Sequence, residues 1–198
     1  MIERLVGSGG MGEVFRAKDR LSGSLVALKV LYGSLAREAE RVKREAQILA
    51  DITHPRIVRY VAHGVADGGR PYLAMEWLDG EDLAERVERS GLTLHETLTL
   101  ARGVAEALSA LHDRGIVHRD IKPSNIFLPR RSAQQVKLLD LGVARLLRAS
   151  RPSTRSGVMV GTPGYMAPEQ ARGAKELDAR ADVFSLGCVI YECLAGRP

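Results

Sequence analysis

Lys29 stands inside an otherwise apolar run, Leu25–Leu31 (LVALKVL), bounded by Ser22-Gly23-Ser24 and Gly33-Ser34. Such a run between turn formers reads as a buried strand. A lysine there must meet an anion or give up its charge, because an isolated buried ammonium is costly. That need ties the strand to a counter-ion elsewhere in the fold. Glu45 lies in the following stretch, where Leu35, Ala39, Val42, Ala46 and Leu49 draw one helical stripe. Alone, Glu45 reads as a surface residue among Arg41, Lys43 and Arg44; with a buried lysine to satisfy, a Lys29–Glu45 pair is the preferred reading.

The rest of the first third is also strand-like. Arg4–Gly7 and Gly12–Asp19 flank a glycine-rich turn, and Ile57–Val65 and Pro71–Leu78 flank the turn Ala66-Asp67-Gly68-Gly69-Arg70. The expectation is a five-strand sheet carrying one helix. Asp79-Gly80 breaks the pattern, and the chain then turns helical. Thr93 and Glu96 have capping-box spacing, and Leu94, Leu98, Ala101, Val104, Ala105, Leu108 and Leu111 keep helical period up to Gly115. Two short strands are expected around Ile126–Leu128 and Val136–Leu139. Residues 143–166 form a long polar loop of the kind that usually carries function. The helix Asp178–Ala195 is apolar on nearly all faces, which predicts neighbours all round it.

Composition narrows the classes. At 45% hydrophobic and 27% charged residues, disordered, collagenous and mucin-like chains are excluded. The net charge of +5 is scattered and does not by itself indicate nucleic acid. Cys188 and Cys193 have no metal-ligand spacing and read as buried, reduced thiols of a cytoplasmic protein. The N-terminus lacks the apolar run of a signal peptide, and no stretch approaches the ~18 apolar residues of a membrane span. A soluble chain is expected.

Gly7-Ser8-Gly9-Gly10-Met11-Gly12 fits G-x-G-x-x-G, a weak signal alone. A dinucleotide fold would follow these glycines with a helix, whereas Glu13–Ala17 has a strand pattern. The glycines therefore read as a β-turn lid whose backbone amides can approach phosphates. No Walker pattern G-x-x-x-x-G-K-[ST] is present, which excludes a P-loop NTPase. His118-Arg119-Asp120-Ile121-Lys122-Pro123-Ser124-Asn125 could be a charged surface loop, yet it places Asp, Lys and Asn at fixed spacing after an apolar helix. Asp140-Leu141-Gly142 then follows the second short strand.

In these segments the sequence resembles the protein Ser/Thr kinases, especially the bacterial eukaryotic-like type. The resemblance runs in order through the glycine loop, Val26-Ala27-Leu28-Lys29, Glu45, His118–Asn125, Asp140-Leu141-Gly142 and Ala167-Pro168-Glu169, and covers almost the whole chain. Leu141 replaces the commoner Phe. The resemblance implies an α+β, two-lobed protein-kinase-like fold. Its N-lobe (1–78) holds an antiparallel five-stranded sheet with one helix; its mainly helical C-lobe (79–198) is incomplete. It also implies ATP and Mg²⁺ (or Mn²⁺) as cofactors and a protein substrate with Ser/Thr acceptors, without nucleic acid or a membrane segment.

The roles carried over are these. Lys29, oriented by Glu45, holds the α/β-phosphates under the loop Gly7, Ser8, Gly9, Gly10, Met11 and Gly12. Asn125 and Asp140 bind the metal, Asp120 accepts or orients the acceptor hydroxyl, and Lys122 stabilises the transferring phosphoryl. Met75 guards the pocket behind adenine, Glu76 and Leu78 offer backbone groups to the base, and Asp82 contacts ribose. Val14, Ala27 and Phe127 sandwich the ring, although each alone is more often plain core. Leu49, Tyr60, His118 and Leu141 should stack as an apolar column. Thr162, in Gly161-Thr162-Pro163-Gly164-Tyr165, would bond Asp120 and Lys122.

Arg119 before the catalytic Asp goes, in this family, with control by loop phosphorylation. Arg119, Arg145 and Arg41 would gather around a phosphate on Thr154 or Ser156, with Ser153 a further candidate. In the family more helices follow the one bearing Asp182, so a further C-terminal segment or a partner is expected to cover it. The alternative reading is a catalytically weak nucleotide-binding scaffold that keeps the fold without turnover.

Overall fold

The structure, a computed structural model, describes residues 1–9, 12–32, 50–140, 162, 164–174 and 176–197. The helix expected over 35–49, with Glu45 and Arg41, lies outside the described residues. So do Gly10, Met11, Leu141, Arg145, Ser153, Thr154 and Ser156. The described residues fall into two compact units, one drawn from 1–53 and 58–78, the other from 54–57, 79–140 and 162–197.

The first unit is an antiparallel sheet of five strands: β1 (Ile2–Gly9), β2 (Gly12–Lys18), β3 (Leu25–Leu31), β4 (Tyr60–Val65) and β5 (Pro71–Glu76), in the order β1-β2-β3-β5-β4. The strands β4 and β5 are shorter than the sequence suggests, and Asp67–Gly69 forms a 3-10 turn between them. Register fixes which side chains share a face, since directly opposed residues point the same way and alternate residues along a strand do too. Val14 opposes Lys29, Lys29 opposes Leu73, and Ala27 opposes Met75. Val14, Ala27, Lys29, Leu73 and Met75 therefore line one face. Gly12 enters β2 where a Cβ would lie 2.2 Å from the carbonyl oxygen of Val30, so only glycine lets the two strands close there.

The second unit is helical around a small three-stranded sheet. Its helices are α1 (Leu83–Ser90), α2 (Leu94–His112), α3 (Pro168–Ala171) and α4 (Ala179–Ala195). Its strands, in the order β6-β7-β8, are β6 (Gly80–Asp82), β7 (Ile126–Pro129) and β8 (Lys137–Leu138). The expected capping box opens α2: Thr93 accepts from the Glu96 amide and Glu96 accepts from the Thr93 amide. Leu100, Val104, Ala107, Leu108 and Leu111 of α2 form the core with Ile126, Leu128, Val136, Leu138 and Val189, all essentially buried. Burying each large aliphatic side chain contributes about 1.5–3 kcal/mol. Gly103 lets α2 approach this core, since a Cβ there would meet Val136 Cγ1 at 2.5 Å.

Two elements, β6 and α1, go beyond those expected from the sequence. The helix carries the same signal as α2, a capping box in which Asp82 accepts from the Glu85 amide and Glu85 accepts from the Asp82 amide. The apolar helix α4 has two unlike sides. Ala181, Asp182, Ser185, Leu186, Val189 and Cys193 are buried in a stripe that packs on α2, while Val183, Phe184, Tyr191 and Leu194 are exposed. The described elements cover one side of this apolar helix and not the other. Cys193 is buried as expected, Cys188 only half so, and neither is in a disulfide. No helix among the described residues is long and apolar enough to cross a membrane.

Candidate active site

The loop between α2 and β7 is organised by one carboxylate. Asp182, fully buried in α4, accepts from the backbone N–H of His118 at 2.8 Å and of Arg119 at 2.7 Å, and its Oδ2 also meets His112 Nε2 at 2.8 Å. These contacts supply the partners that a buried charge needs. They hold Arg119 at φ 65°, a left-handed conformation that costs a non-glycine residue about 1–3 kcal/mol. His118, also fully buried, faces the Leu139 carbonyl with Nε2 at 2.9 Å and accepts the Asp120 amide on Nδ1 at 3.3 Å. A carbonyl only accepts, so the ring proton sits on Nε2.

Beyond this scaffold the polar side chains of the loop converge. Asn125 Nδ2 donates to the Asp120 carbonyl at 2.7 Å and to Asp120 Oδ2 at 2.9 Å. With the amide nitrogen so engaged, the carbonyl oxygen is the end of Asn125 that can take a cation. Lys122 Nζ lies 3.3 Å from Asp120 Oδ2 and donates to Thr162 Oγ1 at 3.1 Å. The four residues Asn125, Asp120, Lys122 and Thr162 thus form one chain of contacts. The Leu139 amide donates to the backbone carbonyl of Asn125 at 2.9 Å, and Asp140, at φ 46°, is the next residue in the chain. Asp140 and Asn125 offer hard oxygen donors, a set suited to Mg²⁺ or Mn²⁺ and not to a soft thiolate-seeking metal. Phe127 lies half-buried in β7 of the same unit.

Thr162 belongs to a segment pinned at two further points. Tyr165 Oη donates to Glu192 of α4 at 2.6 Å; burial first, then this bond, pushes its phenol above the usual tyrosine range. Gln170 Nε2 donates to the Arg119 carbonyl at 2.8 Å. Asp182, His112, Gln170 and the Tyr165–Glu192 pair were not nominated as site residues from sequence. A charged residue inside the apolar pattern of α4 was the available signal for Asp182.

The first unit presents the other expected residues. Lys29 is buried at 8% exposure in mid-strand, on the face it shares with Val14, Ala27 and Met75. Gly7, Ser8, Gly9 and Gly12 flank the β1–β2 turn, and Ser8 Oγ lies 3.1 Å from Tyr32 Oη. The Glu76 amide donates to the Arg59 carbonyl at 2.9 Å. The Trp77 ring lies under the Arg16 guanidinium at 5.3 Å, and Leu78 ends the unit half-buried. Tyr60 hydrogen-bonds His63; Leu49 and Leu141 of the expected apolar column lie outside the described residues. Asp82 is the N-cap of α1, its Oδ1 accepting from the Glu85 amide at 2.9 Å.

Known proteins place these features in context. Residues 1–198 match the protein kinase domain. The chain is 44% identical over 200 residues to the serine/threonine-protein kinase pkn2 of Myxococcus xanthus, covering 98% of this chain and 24% of that protein. It is 41% identical to the serine/threonine-protein kinase PknB of Mycobacterium leprae, covering 98% of this chain and 32% of that protein. It therefore spans a third or less of these relatives' length. The fold superposes on the crystal structure of the Mycobacterium tuberculosis PknI kinase domain with a TM-score of 0.77 and 31% identity, covering all of this chain and 72% of that one. Matched along its whole length in both sequence and fold, the chain belongs to the protein kinase domain family.

Proposed function

We propose that the chain transfers the γ-phosphoryl group of Mg·ATP to serine or threonine hydroxyls of proteins. One observation carries this reading: Asn125, Asp120, Lys122 and Thr162 form a continuous set of contacts around a single carboxylate. Phosphoryl transfer asks little covalent help of a protein and much positioning. Asp120 accepts the proton of the attacking hydroxyl as that oxygen bonds to phosphorus and the bond to the β-phosphate oxygen breaks. Lys122, next to Asp120, neutralises charge on the transferring group, and its contact with Thr162 ties it to the segment expected to seat the acceptor. Asp140 and the Asn125 carbonyl oxygen would hold the metal ion, which supplies positive charge to the phosphate oxygens when bound.

Lys29 binds the α/β-phosphates, with Glu45 as its counter-ion, and the backbone amides of residues 7–12 close over them. In the first unit Val14 and Ala27 offer apolar contact to adenine, Glu76 and Leu78 offer backbone groups and Met75 limits the pocket; in the second unit Phe127 is assigned to the ring and Asp82 to the ribose. Phosphorylation of Thr154 or Ser156, answered by Arg119, Arg145 and Arg41, raises activity through the charge-assisted hydrogen bonds that the phosphate accepts. The same chemistry assigns ATP and a Ser/Thr-bearing protein as partners, and the two free thiols, Cys188 and Cys193, fit a cytoplasmic compartment.

Mg·ATP-dependent autophosphorylation, compared between the wild-type chain and Asp120→Asn, tests the reading. The expected result is transfer by the wild type and its loss in the variant, with nucleotide binding kept. Nucleotide binding by the wild type without transfer would overturn it.

A further inference from the structure

Arg119 is held in its left-handed conformation from both sides. Its N–H is fixed by Asp182 Oδ1 at 2.7 Å. Its carbonyl is fixed by Gln170 Nε2 at 2.8 Å. That carbonyl belongs to the peptide group whose N–H is the Asp120 amide, which in turn donates to His118 Nδ1. The Gln170 bond therefore sets the plane of the peptide group on which the catalytic carboxylate is mounted. A non-glycine residue persists in such a conformation only where its surroundings over-determine it. Asp182 supplies half of that determination, and Gln170 the other half.

The two halves come from different places. Asp182 lies on α4 in the buried core, whereas Gln170 lies in the four-residue helix α3. That helix closes the segment containing Thr162, whose hydroxyl meets Lys122, and Tyr165, which is anchored to Glu192. We infer that Gln170 is a positioning residue for the phosphoryl transfer proposed above: it couples the segment that seats the acceptor to the orientation of Asp120. The coupling needs a donor at this position. A glutamate of the same shape would set a carboxylate oxygen against the Arg119 carbonyl oxygen, and a methionine would leave that carbonyl without its partner.

The test compares Gln170→Met, Gln170→Glu and Gln170→Lys in the full chain. Loss of the donor is expected to lower kcat about tenfold in the Met variant and further in the Glu variant, with KM for ATP within twofold of wild type. The Lys variant, which keeps a donor, should recover part of the loss. Amide hydrogen exchange gives a second readout that needs no turnover. The Asp120 amide should exchange at least tenfold faster in the Met and Glu variants, while the amides of α2 and α4 keep wild-type rates. A wild-type kcat in both donor-less variants, equal losses in the Glu and Lys variants, or an unchanged Asp120 exchange rate would each overturn the inference. Should the wild type transfer no phosphate, the proposed activity fails, and the exchange experiment still decides the role of Gln170.

Discussion

The imidazole of His112, at the end of α2, and the carboxylate of Asp182, in α4, meet at 2.8 Å beneath the loop of residues 118–125. The same carboxylate carries the amides of His118 and Arg119, so one buried group joins two core helices to the loop they support.

Removing that group should cost stability as well as activity. Asp182→Ala leaves two buried amides without their acceptor, a loss of about 3 kcal/mol, which lowers the Tm of a chain this size by about 6–12 °C. Thermal denaturation followed by circular dichroism checks the stability, and a kinase assay at a temperature where the variant stays folded checks the loop. A variant with unchanged Tm would show that the amides find other partners.

The α2 cap gives a pH signature. The backbone N–H of Thr93 first, then its hydroxyl, hold the Glu96 carboxyl below its ordinary value, with Arg86 adding a smaller contribution. Because the folded-state value is depressed, the stabilisation is complete above the ordinary carboxylate range and disappears as pH falls through the depressed value. Glu96→Gln should therefore destabilise the chain by about 1 kcal/mol at pH 7, and the gap to wild type should narrow below about pH 4. Urea denaturation of both proteins across that range measures it. A gap that stays constant with pH would rule out the charged form of Glu96 as its source.

Gly12 sits where strand geometry and the proposed phosphate loop coincide. With the Val30 carbonyl 2.2 Å from where a Cβ would stand, Gly12→Ala must push β2 away from β3. The expected cost is about 2 kcal/mol, together with a fall of about tenfold in ATP affinity, read by calorimetry and nucleotide titration. Wild-type affinity in a destabilised variant would separate the strand effect from any role in binding phosphate.

Local signals in the sequence were legible and distant ones less so. Thr93 and Glu96 announce their helix because the cap closes within three residues, and LVALKVL announces its strand because the apolar run is continuous. The box of Asp82 and Glu85 is of the same kind, yet reading Asp82 for ribose hid its place at the head of α1. Lys122 and Thr162 lie 40 residues apart, so their contact was anticipated through the family resemblance and not through spacing. Asp182 and Gln170 act on backbone amides and carbonyls, which every residue possesses, so nothing in the loop sequence points to them. The apolar pattern of α4 told of its hydrophobicity but not of which side its neighbours would take.

The grip of Asn125 on both the carbonyl and the side chain of Asp120 has a kinetic consequence. If Asp120 is the base proposed above, it is already aimed before either reactant arrives and asks no entropy of the encounter to aim it. In the proposed reaction neither nucleotide nor acceptor then has to come first, so each should bind the free chain in the absence of the other.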